Sequence, residues 1–216
     1  MTSLLEYLES FNRKERFFLI GEALGNTDFR LSDDFRSRLS EAFGIAVPAD
    51  ALVAMDYHLD WIHASLHLSL PGVDEEAVHI NTDSIATGKM EDVDLLVAFQ
   101  EGQVTHILLI EAKAETGWSN KQMDSKSQRL EKIFGANGMK HPSVKPHFCM
   151  MSPRPPQELN SDTWPGWMSR EGIPTWLSLS VPKNRRRVTR CNESGETSSD
   201  GMFFRILTTK SSEIPI

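Results

Sequence analysis

Residues 91–115, EDVDLLVAFQEGQVTHILLIEAKAE, are the stretch on which the reading of this chain turns. An acidic residue, Asp94, opens an apolar run from Leu95 to Phe99. A short polar turn follows, and a second apolar run, Ile107 to Ile110, delivers Glu111-Ala112-Lys113. Both runs are aliphatic, of strand length and bounded by Gly or polar residues, which predicts a β-hairpin. Gly102-Gln103 suits a two-residue turn with Gly at its first central position. That register pairs Glu101 with Val104 and so Asp94 with Glu111. A turn at Glu101-Gly102 would instead pair Asp92 with Glu111. Side chains alternate along a strand, so either register sets Asp92, Asp94, Glu111 and Lys113 on one face.

Carboxylates and an ammonium converging at the end of two buried strands fit a metal site for phosphodiester hydrolysis. Mg²⁺ prefers carboxylate oxygens and keeps several waters, so one or two carboxylates plus substrate phosphate suffice. Such an ion activates water and stabilises charge on the phosphate. Lys113 is placed to orient that water or to neutralise developing charge. The plainer alternative is a cross-strand ion pair with no chemical role, because a D…E-x-K spacing arises easily by chance. Charge at the end of buried strands is rarer than charge on a solvated face, which favours the functional reading.

Asp94-Leu95-Leu96 followed by Ile110-Glu111-Ala112-Lys113, with sixteen residues between Asp94 and Glu111 and a helix after them, resembles the PD-(D/E)XK (restriction-endonuclease-like) nuclease superfamily. The likeness covers about residues 90 to 135. The chain departs from the family pattern in having no Pro before Asp94. The resemblance implies an acidic residue and E-x-K on adjacent strands of a mixed sheet, binding Mg²⁺, with Mn²⁺ as a substitute. Asp94 and Glu111 would hold the metal, the Ala112 carbonyl could add a ligand, and Lys113 would assist the attacking water. It further implies a Gln or Lys from the following helix, here Gln122 or Lys126, and a Glu from the first helix, here Glu22. Gln122 has a structural alternative: Ser119-Asn120-Lys121-Gln122 fits a helix capping box. Asp92 is the competitor of Asp94 and is read as a supporting or surface acid.

Outward from the hairpin, the N-terminal third reads as helical. Residues 2 to 25 carry the stripe Leu4, Leu8, Phe11, Phe18, with a break near Asn12. Ser32 can cap a second helix that ends at Gly44. Pro48 suits the start of a third, along which Leu52, Met55, Leu59, Ile62 and Leu66 alternate three and four apart; a strand through Tyr57, Leu59 and Trp61 is the weaker reading. An edge strand is expected near Ala77 to Ile80. After the hairpin, Ser119 opens a helix to Phe134, and Pro146 to Met151 is a strand parallel to one carrying the site. Strands are expected over Thr175 to Val181 and Met202 to Thr208, joined through the exposed stretch CNESGETSSDG. The fold class is therefore α/β: a small mixed β-sheet with flanking helices (a restriction-endonuclease-like core) preceded by a helical N-terminal segment. The organisation is a single domain over 1–216, with a helical segment at 1–70, the αβ core at 77–151 and a C-terminal loop and strands at 152–216.

Several clusters invite other readings. His63 and His67 are four apart, but residue 64 is Ala, so the H-E-x-x-H pattern of zinc proteases is missing. Cys149 and Cys191 have no metal-ligand spacing. Lys183, Arg185, Arg186, Arg187 and Arg190 form the densest basic run, fit either for DNA phosphate contacts or for a solvated strand edge. Trp164, Trp167 and Trp176 could stack on bases, though beside Pro they more often cap a core.

A net charge of −7 argues against a protein that coats nucleic acid, while leaving room for an enzyme that touches it locally. No apolar run is long enough to cross a bilayer, and the N-terminus lacks signal-peptide features, so a cytoplasmic location and no membrane partner are expected. The function expected is a Mg²⁺-dependent endo- or exonuclease acting on DNA. The alternative is a non-catalytic module of the same fold that binds a protein or nucleic-acid partner, with a homodimer also open.

Overall fold

A computed structural model describes residues 2–11, 14–81, 84–89, 91–114, 118–182 and 185–208. The chain divides into two compact units, 1–179 and 180–216, where the sequence suggests one domain. The physical boundary is the end of the main sheet: residues 176–178 still hydrogen-bond to it, whereas the last two strands pair with each other.

The first unit holds helices α1 (Leu4–Ser10), α2 (Glu15–Ala23), α3 (Asp33–Phe43), α4 (Leu59–Leu68) and α5 (Asn120–Phe134). Its strands are β1 (Leu52–His58), β2 (Asp92–Glu101), β3 (Val104–Ala112), β4 (Val144–Ser152), the short pair β5 (Ser169–Arg170) and β6 (Ile173–Pro174), and β7 (Trp176–Ser178). The main sheet runs β1-β2-β3-β4-β7. β1, β2 and β3 are antiparallel neighbours, while β4 lies parallel to β3 and β7 parallel to β4. The mixed α/β architecture with a helical N-terminal segment is thus present.

The β2–β3 hairpin takes the Gly102-Gln103 register, with Glu101 opposite Val104 and Leu95 opposite Ile110. Gly102 has φ +58°, which its missing Cβ permits at the first turn position. Nearly all of β3 is buried, from Thr105 through Glu111, because helices cover both sides of a central strand. On one side α5 contributes Met123, Leu130, Ile133 and Phe134 to the core. The other side carries His106 and His147, both buried, with Nδ1 and Nε2 3.0 Å apart, and Phe43 of α3 meets His147 edge-on. α5 begins at Ser119, whose hydroxyl accepts from the Gln122 N–H, and stops at Gly135.

Three expectations are corrected. Leu52 to His58 is a strand and not the start of a helix; only Leu59 onward is helical. The three-four alternation is shared between two elements: Leu52 and Met55 are half-buried on β1, while Val53, Ala54 and Tyr57 enter the core. Pairing with β2 supplies backbone hydrogen bonds that no local propensity signals. The Ala77 to Ile80 stretch forms no strand, and Val78 and Ile80 are almost fully exposed, since no sheet edge meets them. The expected Thr175–Val181 strand is cut to the residues 176–178 that β4 can pair. Asn12, where a break in the first helix is expected, lies outside the described residues, between α1 and α2. No described helix is long and apolar enough to cross a membrane.

The second unit is a hairpin of β8 (Arg186–Cys191) and β9 (Phe203–Thr208), closed by residues 192–202. Arg186, Arg187 and Arg190 of the basic run thus lie on a strand, with Arg185 just before it. Lys183 is outside the described residues.

Candidate functional site

The site forms where β2 enters and β3 leaves the sheet. Continuing the hairpin register by one residue sets Asp94 opposite Glu111. The ladder ends there, and the Asp94 carboxylate takes over from a backbone acceptor: the Ala112 N–H donates to its Oδ2 at 2.6 Å. That bond pins Asp94 against the strand carrying Glu111. The group of Ala112 engaged with Asp94 is its N–H.

Glu111 is only 2% exposed. Burial, with the nearby charge of Asp94, raises its pKa from 4.5 to about 7, against the opposing pull of Lys126 and, more weakly, Lys113. The Lys126 ammonium, itself buried, donates to Glu111 Oε1 and to the Asp92 carbonyl, the latter at 2.5 Å. Lys113 follows Glu111 out of the strand; its N–H donates to the Met151 carbonyl at 2.8 Å. Its ammonium lies 5.8 Å from the centre of the Trp118 ring, a cation–π distance.

Around this pair the chain builds alternating charges. Asp92 is bonded to Lys14 at 2.5 Å. Arg129, one turn beyond Lys126 on α5, donates to Asp60, to Glu91 (3.0 Å) and to the Ile85 carbonyl (3.1 Å). Lys126 and Asp92 also line an open pocket of about 420 Å³ with Lys89, Glu91, Gln122 and Ser125. Gln122 therefore serves the helix start through its N–H and presents its side chain to the pocket.

The expected residues are thus partly gathered. Asp94, Glu111 and Lys113 lie at one end of the hairpin and Lys126 reaches Glu111 from α5, whereas Gln122 lines the open pocket, which Asp94, Glu111 and Lys113 do not line. Glu22 sits on the exposed surface of α2. Among the described residues no group of three or more His, Cys, Asp or Glu side chains lies together in a way that could hold a metal ion, so Glu22 is not assembled with Asp94 and Glu111. Lys14, Asp60 and Arg129 escape the sequence reading. Arg129 was detectable in principle, since it continues the Gln122–Lys126 face of α5. Lys14 and Asp60 meet partners 78 and 69 residues away, and nothing local marks them.

The tryptophans act as packing groups. Trp164 is buried edge-on to Phe148 and donates to Asp124, Trp167 donates to the Gly135 carbonyl, and Trp176 donates to Ser152 Oγ. His67 meets His79 (3.2 Å) at the surface. No known protein family, curated protein or solved structure matches this chain.

Proposed function

We propose that this protein is a Mg²⁺-dependent nuclease that hydrolyses phosphodiester bonds in DNA, as its resemblance to the PD-(D/E)XK superfamily implies. One observation carries the reading: Asp94 and Glu111 face each other on adjacent antiparallel strands, with Lys113 two residues on. The donor set suits a hard divalent cation. Asp94 raises the pKa of a Glu111 carboxyl that burial already disfavours as an anion, and a cation between the two would relieve that repulsion. Asp94 and Glu111 would hold it, with the Ala112 carbonyl as a further oxygen, and it would supply Lewis acidity toward water and phosphate.

The chain's own groups do the rest. Lys113 orients the attacking water and balances charge on the phosphate. Gln122 and Lys126 face the open pocket, where a phosphate oxygen can be received by an amide and an ammonium. Glu111 is a full carboxylate only above about pH 7, so activity should rise with pH across neutrality.

The test is digestion of single-stranded, double-stranded and branched DNA with Mg²⁺ or Mn²⁺, together with calorimetric metal titration. Cleavage abolished by chelator, by Lys113→Ala and by Asp94→Ala, with metal binding lost in Asp94→Ala and Glu111→Ala, is the expected result. Unchanged metal affinity in both acidic variants would overturn the assignment. The second reading, a non-catalytic module of the same fold, is favoured by the Lys126–Glu111 contact, which satisfies both charges without a metal. It predicts partner binding and no metal-dependent turnover.

A further inference from the structure

The β8–β9 hairpin carries a surface that neither the fold nor the proposed site uses. Its register sets Arg186 opposite Thr208, Val188 opposite Ile206 and Arg190 opposite Phe204. Residues directly opposite in a two-stranded ribbon share a face, so these six form one side of the hairpin, and all six are exposed. Val188 is 70% exposed, Phe204 69% and Ile206 60%. The face is thus an apolar strip with an aromatic ring, bracketed on one strand by two arginines that stand about 13 Å apart along an extended chain. The other face is mixed: Cys191 is buried and Thr189 and Leu207 are half-buried, while Arg187, Phe203 and Arg205 are exposed.

Charge separates this unit from the rest of the chain. Residues 180–216 contain seven Lys and Arg and four Asp and Glu, a net of +3, so the remaining residues carry −10 of the total −7. Neither β8 nor β9 contains an acidic residue, whereas together they hold Arg186, Arg187, Arg190 and Arg205.

We infer that this face of the β8–β9 hairpin is a platform for single-stranded nucleic acid, with a base stacked on Phe204 beside Val188 and Ile206 and the backbone phosphates held by Arg186 and Arg190. The net positive charge complements a polyanion. The apolar strip selects the single strand, because a duplex hides its base faces in its own stack while an unpaired base offers one. Arg190 already donates through Nε to the Gly201 carbonyl at 2.5 Å, which holds its guanidinium at the end of the strip nearest Phe204. The inference stands on the hairpin alone and does not need the site on β2 and β3 to be catalytic.

The experiment is fluorescence anisotropy of a labelled oligothymidylate with the full chain in EDTA, so that no metal-dependent cleavage intervenes, across a salt series and beside a duplex of equal length. The parent protein should bind the single strand more tightly than the duplex. Phe204→Ala should weaken that binding about tenfold, as loss of one stacked base would, and Phe204→Trp should restore it. Arg186→Gln should flatten the salt dependence by about 0.7 in log–log slope, as loss of one phosphate contact would. Equal affinity for duplex and single strand with no effect of Phe204→Ala would overturn the platform, as would no binding at all. Self-association of the parent that Phe204→Ala abolishes, without oligonucleotide binding, would overturn it in favour of a second copy on this face. Circular dichroism of each variant keeps a misfolded hairpin from passing as a result, with Phe204→Trp as the conservative change. Binding in EDTA without cleavage in Mg²⁺ would leave this inference standing and sink the nuclease assignment.

Discussion

Replacing Lys126 with Met preserves most of the side-chain stem and removes the ammonium that touches Glu111 in the core. In the intact protein Glu111 titrates near pH 7 in place of 4.5, a difference equivalent to about 3 kcal/mol. Because the folded-state value lies above the unfolded one, the folded protein holds this proton more tightly. The contribution of Glu111 to stability is therefore greatest below pH 4.5, falls between 4.5 and 7, and is level above 7. Without Lys126 the folded value moves higher still, and the fall continues past pH 7 at about 1.4 kcal/mol per pH unit. The variant should match or exceed the parent near pH 4.5, where the parent buries an ammonium beside a neutral carboxyl. It should be less stable by about 2 kcal/mol at pH 9. His147 titrates in the opposite sense: burial, with His106 adding to it, lowers its value to about 4, so its contribution is lost as pH falls from 6.5 through 4. It is present in both proteins and cancels from the difference. Urea unfolding followed by tryptophan fluorescence is the assay, since all five tryptophans lie within residues 1–179 and report that unit. A difference between variant and parent that stays constant from pH 4.5 to 9 would refute the account of Glu111.

Tyr57 is buried and donates its hydroxyl to the Leu8 carbonyl at 2.8 Å, so Tyr57→Phe should cost about 1–2 kcal/mol and speed amide exchange in α1 first; unchanged exchange there would contradict the tether. Arg129→Ala removes the shared partner of Asp60 and Glu91 and leaves the Ile85 carbonyl without that donor; a loss of about 2–4 kcal/mol is expected, with new protease cleavage between α4 and β2, and an uncleaved, equally stable variant would count against it. Cys149 is buried and its thiol is pushed up to about 12, and Cys191 is also buried, so an aromatic disulfide reagent should label both only after denaturation; a fast-reacting native thiol would contradict the packing.

The parts of the fold legible in the sequence are those whose signals are local. Gly102 limited the hairpin to two registers because a two-residue turn permits few geometries, and in the one that forms, with Gly at the first turn position, every pairing from Glu101 back to Leu95 follows. Ser119 and Gly135 bounded α5 because caps act within one helical turn. The Leu52 to His58 strand was misread because its leucine and methionine spacing imitates a helix, and only pairing with β2 resolves the ambiguity. At the site, Asp94, Glu111 and Lys113 were recoverable from the alternation of two strands. Of the cations around them, Lys126 was marked by its place on the following helix, while Lys14 and Arg129 were not, since they reach partners from distant segments.

By itself the sequence determined an α/β class, the hairpin with its register narrowed to two, and the helix and strand that follow it, because each rests on periodicity, turn chemistry or caps within a few residues. The tertiary structure alone decided that Glu111 is buried against Lys126, that Arg129 ties α4 and the segment before β2 to α5, that Glu22 remains on the surface, and that Arg186, Arg187 and Arg190 lie on one strand of a hairpin. Those outcomes depend on which faces meet after the chain has closed its long loops, and burial and charge pairing across such distances leave no periodic mark on the residues that take part.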